Sequence, residues 1–169
     1  MIYVALGANL PSRFGEPVQT LTQALQDMAD HGIHVMARSR LWGTAPVPLD
    51  PAQPDFINAV VAVDTALHPD DLMNALLSVE QKYGRVRSVP NAARLLDLDM
   101  IAYHDLQMAT PLVTLPHPRL KDRAFVLKPM ADIAPAWCHP VTGESLSVLI
   151  SRLPPEQMAV PLGHGWSDD

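Results

Sequence analysis

Apolar residues recur along this chain with two periods, and their order predicts a succession of strands and helices. Residues 2–6 form a short apolar run that is typical of a buried strand. Apolar residues then recur at helical spacing after Pro17 and again after Pro69. Proline is favoured at the first position of a helix and glycine just past its end. We therefore predict two amphipathic helices, one from Pro17 up to Gly32 and one from Pro69 up to Gly84.

Five further segments carry patterns typical of regular structure. Four have the alternation, or the β-branched and aromatic residues, that favour strands, and one has helical spacing. Residues 33–42 and 56–65 predict two strands, and we expect them to pair across the proline-rich loop between them. Residues 95–103 predict a fourth strand, and residues 112–115 a short edge strand. Residues 144–153 predict a last helix.

The predicted order of strand, helix, strand, strand, helix and strand is that of the split β-α-β arrangement in ferredoxin-like folds. We therefore predict an α+β fold with a mostly antiparallel sheet covered by helices. The length of 169 residues suits one domain with a hydrophobic core. We assign residues 1–153 to a single domain and expect residues 154–169 to be a loosely held tail.

Two acids interrupt the apolar strand at residues 95–103. Side chains alternate sides on a strand and advance about 3.3 Å per residue, so Asp97 and Asp99 share a face and lie roughly 6 to 7 Å apart. The apolar residues at positions 96, 98, 100 and 102 fall on the opposite face and anchor the strand in a core. Two carboxylates that aim the same way suit a divalent metal ion, and a solvated strand face is the structural alternative.

Three arginines, Arg85, Arg87 and Arg94, lie in the loop that precedes this strand. Guanidinium groups form bidentate hydrogen bonds to phosphate oxygens. Acids that can hold magnesium, next to arginines that can bind phosphate, indicate nucleotide chemistry. The alternative is that the arginines are surface charges. We expect MgATP to order this loop over the site. The P-loop, the dinucleotide-binding glycine motif and the kinase motifs are absent from the sequence, so an ATP site would have another design.

Charge and cysteine content narrow the classes of partner. The net charge of −6 argues against a nucleic-acid or anionic-membrane surface. Eight of the twelve Lys and Arg residues lie between Lys82 and Lys128, which fits a small polyphosphate better than a polymer.

A single cysteine, Cys138, excludes an intramolecular disulfide and a cysteine-based zinc cluster. With no signal peptide and no membrane-spanning run, we expect a soluble, cytoplasmic monomer.

Five blocks of the chain occur in an order, and at separations, that together are more specific than any single motif. They are residues 53–59 (QPDFINA), 84–87 (GRVR), 94–99 (RLLDLD), 115–120 (LPHPRL) and 123–127 (RAFVL). These blocks resemble the 6-hydroxymethyl-7,8-dihydropterin pyrophosphokinase family of folate biosynthesis, and the resemblance runs from about residue 2 to about residue 150.

The resemblance implies that pyrophosphate passes from MgATP to the hydroxymethyl oxygen of the dihydropterin, with release of AMP. Asp97 and Asp99 match the acids that hold two magnesium ions in that family, and such ions bridge the triphosphate. Arg85 and Arg94 match loop arginines that act on the phosphates, so they join the two acids as candidate catalytic residues. The positions that match the ATP-binding residues of the family are Glu80, Arg85, Arg94, His117 and Arg123.

The resemblance also implies a pterin-binding site. Phe56 and Phe125 match the aromatic residues that enclose the flat pterin ring. Asn58 matches the residue that reads the amide edge of the ring with one donor and one acceptor. Thr44 and Pro46 stand where backbone groups of the pocket loop approach the pterin.

The chain departs from the family pattern at two places. It has Ala92-Ala93-Arg94-Leu95 where Gly-Pro-Arg-Thr is common, and Leu77 where some members have Gln. Both metal acids, Arg85 and Arg94 remain, which favours an active enzyme. The alternatives are a catalytically weakened paralogue that binds pterin or nucleotide, and a two-metal phosphohydrolase.

Overall fold

A computed structural model describes residues 1–84 and 95–169 of the chain. The predictions made for Arg85, Arg87 and Arg94, and for the ordering of their loop by MgATP, lie outside the described residues and stay predictions. Within the described ranges, no helix is long and apolar enough to cross a membrane.

The described residues form eight strands, four α-helices and one 3₁₀ helix. The strands are β1 (Ile2–Ala8), β2 (His34–Arg38), β3 (Trp42–Thr44), β4 (Phe56–Asp64), β5 (Asp97–Tyr103), β6 (Met108–Ala109), β7 (Thr114–Leu115) and β8 (Ala159–Pro161). The α-helices are α1 (Pro17–Asp30), α2 (Pro69–Lys82), α3 (Ala124–Ile133) and α4 (Leu146–Ser151), and the 3₁₀ helix is Leu120–Asp122.

The main sheet has six strands in the order β5-β1-β4-β3-β8, and β2 also pairs with β4. Every strand pair in the described residues is antiparallel. The strands β1 and β5 are neighbours although both helices α1 and α2 lie between them in sequence, which is the ferredoxin-like connection. The predicted α+β fold with a mostly antiparallel sheet is therefore confirmed.

The first two helices begin and end where the sequence predicted, and local chemistry explains their ends. Proline occupies the first position of both α1 and α2. An N–H at that position would have no partner inside the helix, and the fixed φ of proline suits a helix. In front of α1, the side chain of Gln19 accepts a hydrogen bond of 2.7 Å from the backbone N–H of Glu16. Gly32 and Gly84 follow the two helices with φ of +76° and +78°, a conformation that glycine adopts without strain.

The strand predicted at residues 33–42 is divided into β2 and β3. The division falls at Ser39, whose hydroxyl accepts a hydrogen bond of 3.0 Å from the N–H of Val60 and donates one of 2.7 Å to the carbonyl of Arg40. A side chain that bonds to nearby backbone competes with the regular strand ladder. Residues 112–115 also differ from the prediction, because β7 pairs with β6 in a separate two-stranded sheet and not with the main sheet.

The end of the chain is held more firmly than expected. We predicted that residues 154–169 are loosely held, but β8 pairs with β3 at the edge of the main sheet. Trp166 is only 5% exposed, and its indole N–H donates a hydrogen bond of 3.0 Å to the carbonyl of Ser39. The expectation was wrong because the partner of Trp166 lies 127 residues away, where no local pattern reveals it.

The sheet separates two apolar cores. On one face, Ile2, Val4 and Leu6 of β1 pack in the same core as the buried residues of α1 and α2. On the other face, Tyr3 and Ala5 belong to a second core that includes residues of α3 and α4. The second core does not extend to the ends of the strands at Gly7 of β1 and at Asp97 of β5, so that region of the α3 face remains open.

A bulge in β5 changes which residues face α3. The pairing with β1 shifts register, since Tyr3 pairs with Ala102 but Val4 pairs with Met100, which leaves Ile101 as the extra residue. Ala102 therefore joins the α3-side core with Ile101, although the strict alternation predicted it on the opposite face. The carbonyl of Ile101 accepts a hydrogen bond of 2.9 Å from the N–H of His117, which holds His117 against the sheet.

Candidate active site

A cavity occupies the α3 face of the sheet beyond the end of the second core. It is bounded by the ends of β1, β4 and β5, by the proline-rich loop that follows β3, and by the start of α3. Nine of the predicted site residues line it: Thr44, Pro46, Phe56, Asn58, Asp97, Asp99, His117, Arg123 and Phe125.

Strand register explains how residues distant in sequence meet on the floor of this cavity. Asn58 of β4 pairs with Gly7 of β1, and Gly7 pairs in turn with Asp97 of β5. These three residues form one row across the sheet, because directly paired residues of antiparallel strands point to the same face. Gly7 leaves the middle of the row without a side chain, and a methyl group there would overlap Oδ1 of Asn58. The glycine therefore keeps the floor open between the amide and the carboxylate.

The acid end of the cavity consists of Asp97, Asp99 and Arg123. Both carboxylates share the α3 face of β5, as predicted, and Nη1 of Arg123 lies 4.0 Å from Oδ2 of Asp99. No group of three metal-ligating side chains occurs in the two described ranges. Magnesium commonly binds one or two carboxylates and takes its other ligands from water and substrate phosphates, so this pair of acids fits magnesium bound together with a nucleotide.

His117 stands beside the acids and remains neutral at physiological pH. Burial, together with the nearby positive charges of Arg123 and Arg119, lowers the pKa of His117 to about 4, against a smaller opposing effect of Asp97. Its Nδ1 accepts a hydrogen bond of 3.1 Å from the backbone N–H of Arg119. The single proton of the ring is therefore assigned to Nε2, which makes His117 a neutral hydrogen-bond donor in the cavity.

At the opposite end, Asn58 and Thr44 form a buried polar pair. The side-chain N–H of Asn58 donates a hydrogen bond of 2.6 Å to the hydroxyl of Thr44. Both residues are buried, so their polar groups are held in fixed directions by this bond. Asn58 has the donor and acceptor that recognition of an amide edge requires.

Two aromatic side chains line the cavity from different elements. Phe56 begins β4, where it pairs with Thr44 of β3. Phe125 lies in the first turn of α3, and the guanidinium of Arg123 lies 5.3 Å from the centre of its ring. The aromatic walls and the Asn58 amide suit a flat heterocycle, whereas the acid end suits a metal-bound anion.

Glu80 is the one described candidate that the structure does not bring to the cavity. It is fully buried in α2, and its Oε1 accepts a hydrogen bond of 2.8 Å from the backbone N–H of Leu98. Leu98 stands between Asp97 and Asp99, so Glu80 holds the strand that carries the acids. The contact between Glu80 and nucleotide stays a prediction, beside this hydrogen bond to the strand that carries the acids.

Sequence reasoning did not single out two residues that shape the cavity. Gly7 was taken for part of a turn after the first strand, whereas β1 continues through Ala8. Gln53, in the proline-rich loop, lines the cavity and accepts a hydrogen bond of 3.3 Å from the side chain of Asn9. A glycine inside a strand pattern is a signal of close approach by a neighbour and could have identified Gly7.

Known proteins share sequence with most of this chain. The model of the family described as 7,8-dihydro-6-hydroxymethylpterin-pyrophosphokinase matches residues 3–135 of the chain. Proteins named 2-amino-4-hydroxy-6-hydroxymethyldihydropteridine pyrophosphokinase are 38% identical to it, over 158 residues in Pseudomonas aeruginosa and over 154 in Methylorubrum extorquens. Each match covers 90% of this chain, and they cover 91% and 93% of the two relatives.

Some relatives are much longer than this chain. The Folic acid synthesis protein fol1 of Pneumocystis carinii is 36% identical over 90% of this chain, but the match spans only 20% of that protein. Among solved structures, Plasmodium falciparum HPPK-DHPS, crystallised as a triple mutant with STZ-DHP, has a TM-score of 0.70. That likeness covers 89% of this chain and 42% of the other at 12% identity, and it therefore shows a shared fold.

Proposed function

Since the chain belongs to the 7,8-dihydro-6-hydroxymethylpterin-pyrophosphokinase family, we propose that it transfers pyrophosphate from MgATP to 6-hydroxymethyl-7,8-dihydropterin and releases AMP. The observation that carries the proposal is one cavity with an aromatic, amide-bearing end and an acidic, cationic end. The two ends suit the two substrates, a flat pterin and a metal-bound triphosphate. The phosphohydrolase alternative leaves the pterin end unexplained, and the weakened-paralogue alternative is disfavoured because both acids, Asp97 and Asp99, are present in the cavity.

The pterin end positions the acceptor. Phe56 and Phe125 would enclose the ring, and the Asn58 amide would bond to its edge while Thr44 keeps that amide oriented. Pro46 and the backbone of its loop form the adjoining wall. Holding the hydroxymethyl oxygen near the β-phosphorus of ATP makes the transfer effectively unimolecular, which lowers its barrier.

The acid end neutralises charge on the triphosphate. We propose that Asp97 and Asp99 hold two magnesium ions, which would supply Lewis-acid stabilisation of the phosphate oxygens. In the transfer, the hydroxymethyl oxygen forms a bond to the β-phosphorus and loses its proton to water, and the bond from that phosphorus to the bridging oxygen of the α-phosphate breaks to release AMP. His117 would donate its Nε2 proton as a hydrogen bond to phosphate, and Arg123 would balance its charge. Arg85 and Arg94, whose positions are not described, would add charge from the preceding loop.

Two further aspects complete the proposal. We infer a cytoplasmic enzyme, for which the exposed, unpaired Cys138 gives compositional support. We also infer that a monomer suffices, because residues of one chain line the whole described cavity.

The decisive experiment is to incubate the protein with MgATP and 6-hydroxymethyl-7,8-dihydropterin and to measure AMP and the pyrophosphorylated pterin. We expect the two products in equal amounts and only while both substrates are present. ATP consumption without pterin would support the phosphohydrolase. Binding of both ligands without AMP would support the binding protein, and either result would overturn the proposal.

A further inference from the structure

The segment of residues 157–161 lies beside both ends of the cavity, although it falls outside the part of the chain matched by the family model. Within it, β8 pairs with β3 so that Ala159 is opposite Thr44. The carbonyl of Met158 also accepts a hydrogen bond of 3.4 Å from the N–H of Ala45. The segment is therefore attached to the loop that forms the wall of the pterin end.

On its other side, the segment reaches the start of α3 through the side chain of Gln157. Its Oε1 accepts a hydrogen bond of 3.0 Å from the N–H of Ala124, and its Nε2 donates one of 2.7 Å to the carbonyl of Asp122. These two groups belong to the peptide units on either side of Arg123. One side-chain amide thus fixes both peptide planes that determine the backbone angles of Arg123.

This arrangement matters because α3 begins directly after Arg123. The first N–H groups of a helix lack partners inside the helix, and the side chain of Arg123, at the capping position, does not supply one. Gln157 caps the helix in its place from 33 residues away. It keeps Arg123 in an extended conformation, with φ of −117° and ψ of 105°.

The direction of two cavity residues depends on that conformation. The backbone angles of Arg123 set the direction in which its side chain leaves the backbone, and they set the start of the helical turn that carries Phe125. The guanidinium of Arg123 lies 4.0 Å from a carboxylate oxygen of Asp99 and 5.3 Å from the ring centre of Phe125. A small rotation at Arg123 would move the cation and the aromatic wall together.

We propose that Gln157 is a positioning residue of the active site, which aligns Arg123 with the triphosphate and Phe125 with the pterin. Gln157 touches neither substrate and acts only through the backbone around Arg123. The inference rests on the proposed function, because the two alignments matter only if both substrates meet in this cavity.

The test compares three variants with the unaltered protein. Gln157→Met keeps the length of the side chain and removes both hydrogen bonds. Glu156→Met is the matched control, because Glu156 is adjacent to Gln157 in sequence and its side chain is exposed. Trp166→Phe is the stability control, because it removes the indole hydrogen bond to Ser39 and loosens the end of the chain without touching the cavity.

We expect Gln157→Met to lower kcat and raise the KM for the pterin, with a combined loss in kcat/KM of about ten- to a hundredfold, as small misplacements of reacting groups do. Its melting temperature should fall by only about 2–4 °C. Amide hydrogen exchange should accelerate at Ala124 and not at Gly43, whose backbone lies in the β3–β8 pairing. Glu156→Met should match the unaltered protein, and Trp166→Phe should lose stability and keep its kinetic constants.

Equal kinetic constants for Gln157→Met and Trp166→Phe, measured well below both melting temperatures, would overturn the inference. Unchanged exchange at Ala124 in Gln157→Met would also overturn it. Failure of the proposed function has a different signature, because then the unaltered protein itself produces no AMP. The exchange measurement needs no substrate and tests the link between Gln157 and Arg123 in either case.

Discussion

At the scale of single residues, the site depends on a few side chains whose chemistry is set by their neighbours. Asp97 shares a row of the sheet with Gly7 and Asn58, and His117 is neutral because the site buries it beside cations. Asp97 and His117 can each be altered separately without removing a backbone hydrogen bond of the sheet.

Replacing either acid of β5 should abolish turnover with little effect on the fold. We expect Asp97→Ala and Asp99→Ala to reduce kcat by at least about a hundredfold, because metal-assisted charge neutralisation contributes several kcal/mol. Circular dichroism and thermal unfolding should remain close to those of the unaltered protein. Asp105→Ala is the control, since that acid is exposed just beyond the same strand. Near-normal activity at saturating magnesium in either variant would contradict the metal assignment.

Stability should fall between pH 6.5 and pH 4 partly because of His117. Its pKa is near 6.5 when the protein is unfolded and about 4 when it is folded. The unfolded state therefore binds more protons in that window, and acid stabilises it relative to the folded state. The contribution of His117 is fully present above pH 6.5 and is lost as the pH falls toward 4. His117→Gln should therefore lose less stability than the unaltered protein, by about 2 kcal/mol after solvent screening.

Urea unfolding at pH 7 and pH 4.5 measures this difference. His164→Gln, at an exposed position, should keep the pH dependence of the unaltered protein. Some dependence should also survive in His117→Gln, because burial and the charge of Lys121 lower the pKa of His139 as well. Identical curves for His117→Gln and His164→Gln would mean that His117 is not held neutral by the fold.

At the scale of elements, the contact between α2 and β5 supports the strand that carries the two acids. Among the described residues, β5 is an edge strand of the main sheet, so its outward N–H groups have no neighbouring strand there. The buried Glu80 supplies an acceptor to Leu98, the residue between the two acids. At Leu98, between the two acids, helix α2 therefore supplies the hydrogen-bond acceptor that a neighbouring strand would otherwise supply.

Removing this acceptor should weaken both the fold and the site. Glu80→Ala should lower the free energy of unfolding by about 2 kcal/mol, because the buried N–H of Leu98 loses its side-chain acceptor. It should also reduce kcat/KM for MgATP as Asp97 and Asp99 lose their fixed spacing. Glu80→Gln keeps an acceptor oxygen and should lose less of both in urea unfolding and steady-state assays. A rise in the KM for MgATP with unchanged stability would instead favour direct contact between Glu80 and nucleotide.

Elements with local periodicity could be predicted from the sequence, and elements with distant partners could not. The helices α1 and α2 follow from apolar spacing and from their proline and glycine ends. The pairing of β8 with β3 joins distant parts of the chain, and the division at Ser39 depends partly on a hydrogen bond from Val60 of a neighbouring strand. The acids and aromatic residues were identifiable by their chemistry, whereas Gly7 and Gln157 act through an absent side chain and through backbone hydrogen bonds, which leave little trace in one sequence.

At the scale of the whole molecule, the end of the chain adds strand β8 to one edge of the main sheet. Trp166→Ala should lower the free energy of unfolding by about 3 kcal/mol, because it removes a buried aromatic side chain and its hydrogen bond to Ser39. Val160→Ala is the control on the same segment, since Val160 is 49% exposed, and it should change stability by less than about 0.5 kcal/mol. Equal unfolding midpoints in urea for the two variants would show that residues 162–169 do not support the fold.

One face of the sheet is packed by α1 and α2, and the other face is shared by α3 and the cavity. Substitutions on the two faces should therefore have different effects. Substitutions at buried positions such as Leu6 or Leu76 remove contacts in the first core, so they change how much folded protein accumulates. Substitutions in the row of Gly7, Asn58 and Asp97 act on the open part of the other face and change turnover per molecule. A mutational scan that scores cellular abundance and folate-dependent growth separately should resolve alternating positions along one strand, β1, into these two classes.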